Sequence, residues 1–183
     1  MVLVLIIIVV LFVLVVGAYN GLITSRNRVK NAWSQIDVQL QRRFDLIPNF
    51  VESVKGYMKH EEGVLTKVTE LRNAWAGASS VGKKAELDSE LSGALKTIMA
   101  VSENYPDLKA NKNSTDLQEE LKSTEDKIAY ARQFYNDSVT MYNTKLEKIP
   151  TNIIASMFNF KPEELFEVAS QEARQSVKVD FSK

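Results

Sequence analysis

The first eighteen residues, MVLVLIIIVVLFVLVVGA (Met1 to Ala18), carry no polar side chain. At 1.5 Å of rise per residue they make about 27 Å of helix, close to the roughly 30 Å hydrocarbon thickness of a bilayer. A cleaved signal peptide is the rival reading, but it begins with a basic region, carries a shorter apolar stretch and ends at a small-residue cleavage site. Here the basic start is missing and the helical pattern runs on past Ala18. The reading is therefore a retained transmembrane anchor over residues 1–18. Every charged residue lies beyond position 25, and Arg26, Arg28 and Lys30 follow the span while no Lys or Arg precedes it. Basic residues beside a span tend to stay in the cytoplasm. That bias predicts a cytoplasmic body, with these three side chains facing lipid headgroups.

The rest of the 183-residue chain is ordinary globular material, long enough for a core of its own. Lys and Arg total 23, as do Asp and Glu, so the formal charge is zero and no bulk polyanion partner is indicated. There is a local asymmetry: Tyr19 to Ile47 holds five basic and two acidic residues, whereas Glu163 to Lys183 holds three basic and five acidic. The absence of cysteine excludes disulfides and thiolate sites, without assigning a redox compartment.

No proline occurs before Pro48, so the anchor is expected to continue directly into the first helix of the body. Apolar positions recur there at Leu22, Val29, Trp33, Ile36, Leu40 and Ile47, in steps of three, four and seven that mark an amphipathic helix with a narrow seam. Pro48 is expected to turn the chain. A second helix follows through Val51, Val54, Met58, Leu65, Val68 and Trp75, and AGASSVG (Ala76 to Gly82) ends it by turn chemistry. A shorter third helix runs through Leu87, Leu91, Leu95 and Ile98. Asn104 to Ser114 reads as a polar loop, and Thr115 with Gln118 offers a capping box for a fourth helix over Asp116 to Ile149. Its seam passes through Leu117, Leu121, Thr124, Ile128, Ala131, Tyr135, Ser138, Tyr142 and Ile149, and Pro150 ends it. The apolar stretch with Ile153, Ile154, Met157, Phe158, Phe160, Leu165 and Phe166 is expected to cap the bundle end or meet a neighbouring subunit. Strand signals are weak throughout. The fold expected is all-α: the transmembrane helix continuing into an antiparallel bundle of long helices over residues 19–166, then a polar tail over 167–183.

Chemistry is sparse. His60 is the sole histidine, and the neighbouring Glu61 and Glu62 lack the second histidine that a zinc-binding HExxH arrangement needs. A surface or interhelical hydrogen-bonding role fits His60 better than catalysis. The paired carboxylates Glu119 and Glu120, or Glu163 and Glu164, read as solvated helix faces. GASSVG lacks the lysine and strand-to-helix context of a phosphate loop, and the basic residues are interleaved with acids, which disfavours nucleic acid. Neither a cofactor nor a metal is expected.

The adjacent Arg42 and Arg43 remain. Arg43 extends the row Leu22, Val29 and Ile36, whereas Arg42 points aside. A seam arginine is costly unless paired, and Glu61 and Glu125 are the two candidate partners. Such a pair would fix helix register, as polar seam residues can. The alternative is that the arginines bind anionic lipid or a ligand. Arg43 lies 25 residues past Ala18, about 38 Å along a straight helix, while screening acts over about 8 Å at physiological salt. Arg26, Arg28 and Lys30 are better placed for headgroups. Interhelical or assembly contacts are accordingly expected at Trp33, Asp37, Arg42, Arg43, Asp45, Glu61, Glu125 and Arg132.

The run YNGLITSRNRVKNAWSQIDVQLQRRFDLIPNFVESVKGYMKHE (Tyr19 to Glu61) closely resembles the signature of the LemA family of bacterial membrane proteins. YPDLKANKN, LQEELKSTEDKIAYARQFYNDSVTMYNT and FNFKPEELF resemble that family's later motifs. The resemblance covers nearly all of the chain after the anchor, with modest departures at NFVESV and NSTDLQ. It implies a single-pass, N-terminally anchored helical bundle of the bacterial cytoplasmic membrane and no established catalytic activity. It marks Asn20, Arg26, Asn27, Gln35, Asp37, Gln39, Arg42, Arg43, Asp45 and Asn49, with Glu125, Arg132 and Asn136, as matching polar positions without a known reaction.

Three functions compete. The first is a non-enzymatic scaffold, a homo-oligomer bound to membrane lipid that organises or shapes the membrane through long seamed helices. The second is an accessory or regulatory subunit of a membrane protein partner, such as a protease. The third is a hydrolase using His60.

Overall fold

The computed structural model describes residues 1–58 and 60–166. The polar tail expected over 167–183 lies outside the described residues. The protein is all-α, and among the described residues no strand occurs. The helices are α1 (Val2–Lys55), α2 (Glu62–Ala76), α3 (Val81–Ser102), α4 (Pro106–Ala110), α5 (Lys112–Glu147) and α6 (Thr151–Met157). They gather into two compact units. The first takes Met1–Leu46 and Glu119–Leu165; the second takes Ile47–Gln118 and, among the described residues, Phe166.

In the first unit α1 and α5 run antiparallel. Lys145 donates to Ser25, the Trp33 and Tyr135 rings lie 5.6 Å apart, and Arg42 meets Glu120, so residue numbers rise on one helix as they fall on the other. Leu22, Val29, Ala32, Ile36, Leu40 and Phe44 bury one stripe of α1 against Leu121, Thr124, Ile128, Tyr135, Val139 and Tyr142 of α5. Thr124 and Ser138 spend their hydroxyls on the carbonyls of Leu121 and Phe134 in their own helix, which lets polar residues sit in the seam without an orphaned donor.

The second unit is built on the α2–α3 hairpin. Leu65, Val68, Leu71 and Trp75 of α2 and Ala85, Leu91, Leu95 and Ile98 of α3 are buried, and the Lys67–Glu90 pair bridges the two helices at 3.1 Å. Ser80 begins α3 by accepting from the Lys83 amide at 3.2 Å, a side-chain cap for one otherwise orphaned donor. Lys84 sits 4.4 Å from the Trp75 ring centroid.

Three boundaries differ from those read in the sequence. First, Pro48 does not turn the chain: α1 continues through it to Lys55. An interior proline forfeits one hydrogen bond and crowds the carbonyl four residues back, at a cost of about 3 kcal/mol. Here the seam Ile36, Leu40, Phe44, Ile47, Phe50 and Val54 stays buried in steps of three and four across Pro48, and that burial holds the helix together. The helix ends instead after Lys55, where the amides of Tyr57 and Met58 both bond the Val54 carbonyl. Second, the expected loop Asn104 to Ser114 contains α4 and the first turn of α5. Asn111 is the cap, its Oδ1 accepting from the amides of Asn113 and Ser114, and the Thr115 hydroxyl donates to Asn111 O instead of capping. Third, α5 ends at Glu147, so Ile149 is off the seam and 83% exposed.

Candidate functional site

Among the described residues Arg43 is the largest fully buried side chain, and its Nη1 lies 2.9 Å from Glu125 Oε2 across the α1–α5 seam. Only 2% of the Arg43 side chain is exposed, against 33% of Glu125. The pair is therefore asymmetric, a desolvated cation held by a carboxylate that still reaches water. Beside it Arg42 Nη2 meets Glu120 Oε1 at 2.6 Å, but that pair is exposed on both sides. An exposed pair of this kind contributes about 0–1 kcal/mol, whereas breaking a buried one costs about 3–5 kcal/mol.

The remaining expected contacts are dispersed. Trp33 is half-buried and makes an edge contact with Tyr135. Asp37 on α1 and Arg132 on α5 are half-buried. Asp45 is exposed, and its carboxylate accepts from Gln41 at 2.9 Å, one turn back in its own helix and not across a seam. Glu61 belongs to the second unit, where both of its oxygens accept from Tyr105 Oη at 3.0 Å. That hydrogen bond raises the Tyr105 pKa above its ordinary value, with burial and the carboxylate charge adding to it.

Of the three residues expected at headgroups, Arg26 lies 5.1 Å from the Phe160 ring centroid and Arg28 lies 5.4 Å from that of Phe134, each a cation–π arrangement; Lys30 is exposed. His60 is exposed in the turn before α2. Among the described residues no group of three or more His, Asp or Glu is arranged to hold a metal ion.

Two features were not read from the sequence. The first is a strap formed by residues 158–165. The Phe160 amide bonds Ala155 O at 2.9 Å and the Asn159 amide bonds Ser156 O at 3.3 Å, with Asn159 at φ 54°. This left-handed turn closes the C-terminus of α6 and sends the chain back along α5. There Tyr142 Oη donates to Lys161 O, Tyr135 Oη donates to Glu164 O, and Asn143 both donates to Glu163 O and accepts from the Glu163 amide. Burial pushes the Tyr135 hydroxyl up to about 12, helped by the Glu163 and Glu164 carboxylates, and burial likewise raises Tyr142. The pattern Tyr-x6-TyrAsn on α5 is the available signal, although seam spacing by itself assigns Tyr135 and Tyr142 to the core.

The second is a groove of about 610 Å³ along the α1–α5 pair, lined by Ser34, Gln35, Val38, Gln39, Lys127, Tyr130, Ala131 and Phe134. Val38 is 63% and Tyr130 77% exposed, and Gln39 Oε1 is buried with no hydrogen-bond partner among the described residues. The hollow is mainly apolar and lies open along the surface of the α1–α5 pair.

The first helix is the one segment among the described residues that is long and apolar enough to cross a membrane, and its apolar window is entirely unburied within the chain. The sequence profile of the LemA family matches residues 32–181. The protein LemA of Metamycoplasma hominis is 31% identical over 170 residues, covering 90% of this chain and 74% of that protein. Magnetosome protein MamQ 2 of Paramagnetospirillum magneticum is 26% identical over 175 residues, covering 81% of this chain and 64% of the relative. Magnetosome protein MamQ of Magnetospirillum gryphiswaldense is 25% identical over 174 residues, with the same coverage. The chain thus spans less than two thirds of the length of these magnetosome relatives. Neither name denotes an enzymatic activity. An unburied apolar helix joined to a profile match over most of the sequence gives one conclusion: this chain belongs to the LemA family and is a membrane-associated protein.

Proposed function

We propose that the protein is a non-enzymatic scaffold of the bacterial cytoplasmic membrane, anchored by the start of α1, with a cytoplasmic body that self-associates through the uncovered face of α1 and α5. The observation that carries this reading is the groove around Val38, Tyr130 and Phe134, in which large apolar groups are exposed. Burying such a face against another copy gains about 25 cal/mol for each Å² of apolar surface removed from water. Tethering copies to one plane raises their effective concentration, so a modest interface suffices. Arg43 and Glu125 then keep α1 and α5 in the register that forms the groove. The placement of Arg26, Arg28 and Lys30 directly after the span favours the cytoplasmic side for the body.

The test is Val38→Glu combined with Tyr130→Glu in the detergent-solubilised full chain. Both positions are exposed, so the fold is retained by circular dichroism, and the particle mass is expected to fall relative to the parent. An unchanged mass would remove the groove as the assembly surface. Co-purification of a membrane enzyme in fixed ratio with a monomeric form of this chain would favour the accessory-subunit reading instead.

A further inference from the structure

Apolar side chains are also exposed around α6: Ile149 by 83%, Ile153 by 57%, Met157 by 70% and Phe158 by 51%. Ile153 and Met157 are four residues apart and share a face, while Ile154 and Ala155 are buried on the other. The position of this patch along α1 is fixed. The Phe158 ring lies 4.8 Å from that of Tyr19, the residue directly after the apolar run. Lys145, near the end of α5, donates to Ser25, and the strap hydrogen bonds of Tyr142 and Asn143 hold the chain after α6 against α5. Along the apolar helix, exposure first drops at Val15, Ala18 and Tyr19, which lie on one face. α6 thus sits level with the end of the span.

We propose that α6 and the Phe158 turn form a second membrane contact, an interfacial one, seated at the headgroup and upper acyl region of the same bilayer that α1 crosses. The occupant is lipid because the Tyr19–Phe158 ring contact joins the patch to the exposed apolar surface of α1, whose apolar length matches the hydrocarbon thickness of a bilayer. The surroundings have interfacial chemistry. Tyr19 presents an amphipathic ring at the level where such rings collect, and exposed Lys148 and Lys161 flank the patch with stems long enough to reach headgroup phosphates. A seven-residue helix binds a membrane weakly when free, but here its apolar face is already oriented by α5, and no ordering is needed on contact. The consequence is that α1 is pinned at two points, which fixes its rotation about its own axis and places apolar volume in one leaflet. This inference rests on α1 crossing a bilayer and is independent of self-association.

The chain has no cysteine, so single nitroxide labels can be placed without background. The full-length protein carrying Ile153→Cys or Met157→Cys is reconstituted in vesicles of phosphatidylcholine and phosphatidylglycerol, with Val9→Cys as the span reference and Glu119→Cys as the water reference. Collisions with oxygen and with a water-soluble nickel chelate are read from power saturation of the spin signal. Labels at 153 and 157 are expected to show several-fold more oxygen and several-fold less nickel exposure than the label at 119, with a depth shallower than that at 9. Water-like values at 153 and 157 with a lipid-embedded label at 9 would overturn the contact and leave the anchor standing. Low access to both reagents at 153 and 157 would mean protein covers the patch, which also overturns it. A water-like label at 9 would overturn the anchor and this contact together.

Discussion

Arg43 is 2% exposed and its partner Glu125 is 33% exposed, and that inequality predicts unequal mutants. Glu125→Leu takes one charge partner from a buried cation and is expected to destabilise the fold, whereas Arg43→Met removes the buried cation itself and is expected to be near neutral. Denaturant melts of the two variants check this, and equal losses would contradict it. Tyr135 gives a pH signature. Its proton is held more tightly in the folded protein, so its contribution is complete below pH about 10, the ordinary tyrosine value, and is lost as pH rises toward about 12. Tyr135→Phe loses the 2.8 Å bond to Glu164 O, costing about 1 kcal/mol at neutral pH. It should also show a flatter stability profile than the parent between pH about 10 and about 12. Seam arithmetic along α1 pointed to Arg43 and left Glu61 and Glu125 as alternatives. The choice between them depends on which helix faces which, and periodicity within a single helix carries no information about that.

At the scale of elements, α1 passes through Pro48 because the buried row from Ile36 to Val54 never loses phase. Pro48 itself is exposed, so Pro48→Ala restores the amide without disturbing the core. It is expected to raise stability, by up to about 3 kcal/mol, without loss of helix content. A drop in thermal midpoint would mean that the proline has a conformational task in α1. The seams of α2, α3 and α5 were legible from three-and-four spacing alone, since each is one stripe on one helix. The ends of the elements were less so. Pro48 is a local stop signal, and the continuing seam outweighs it. Thr115 with Gln118 made a plausible capping box, yet Asn111 captures the same kind of amide four residues earlier. The strap over 158–165 was illegible as structure because it has no periodicity. Its backbone is satisfied one hydrogen bond at a time by Tyr135, Tyr142 and Asn143.

For the whole molecule, the apolar run from Met1 to Ala18 decided the compartment class before any fold was considered, and family kinship agrees with it. The groove between α1 and α5 was less accessible to sequence reading. Val38, Tyr130 and Phe134 fall outside the seams, and only the packed pair of helices brings them to one surface. Sequence could propose self-association in general, from long helices tied to one plane, but the surface itself depends on three-dimensional register. The most direct measurement is the protein mass of the detergent-solubilised full chain by light scattering across a wide concentration range. A scaffold predicts a particle of several 20.7 kDa protomers that persists on dilution and shrinks with the paired Val38→Glu and Tyr130→Glu changes. A single protomer of 20.7 kDa at every concentration would contradict it.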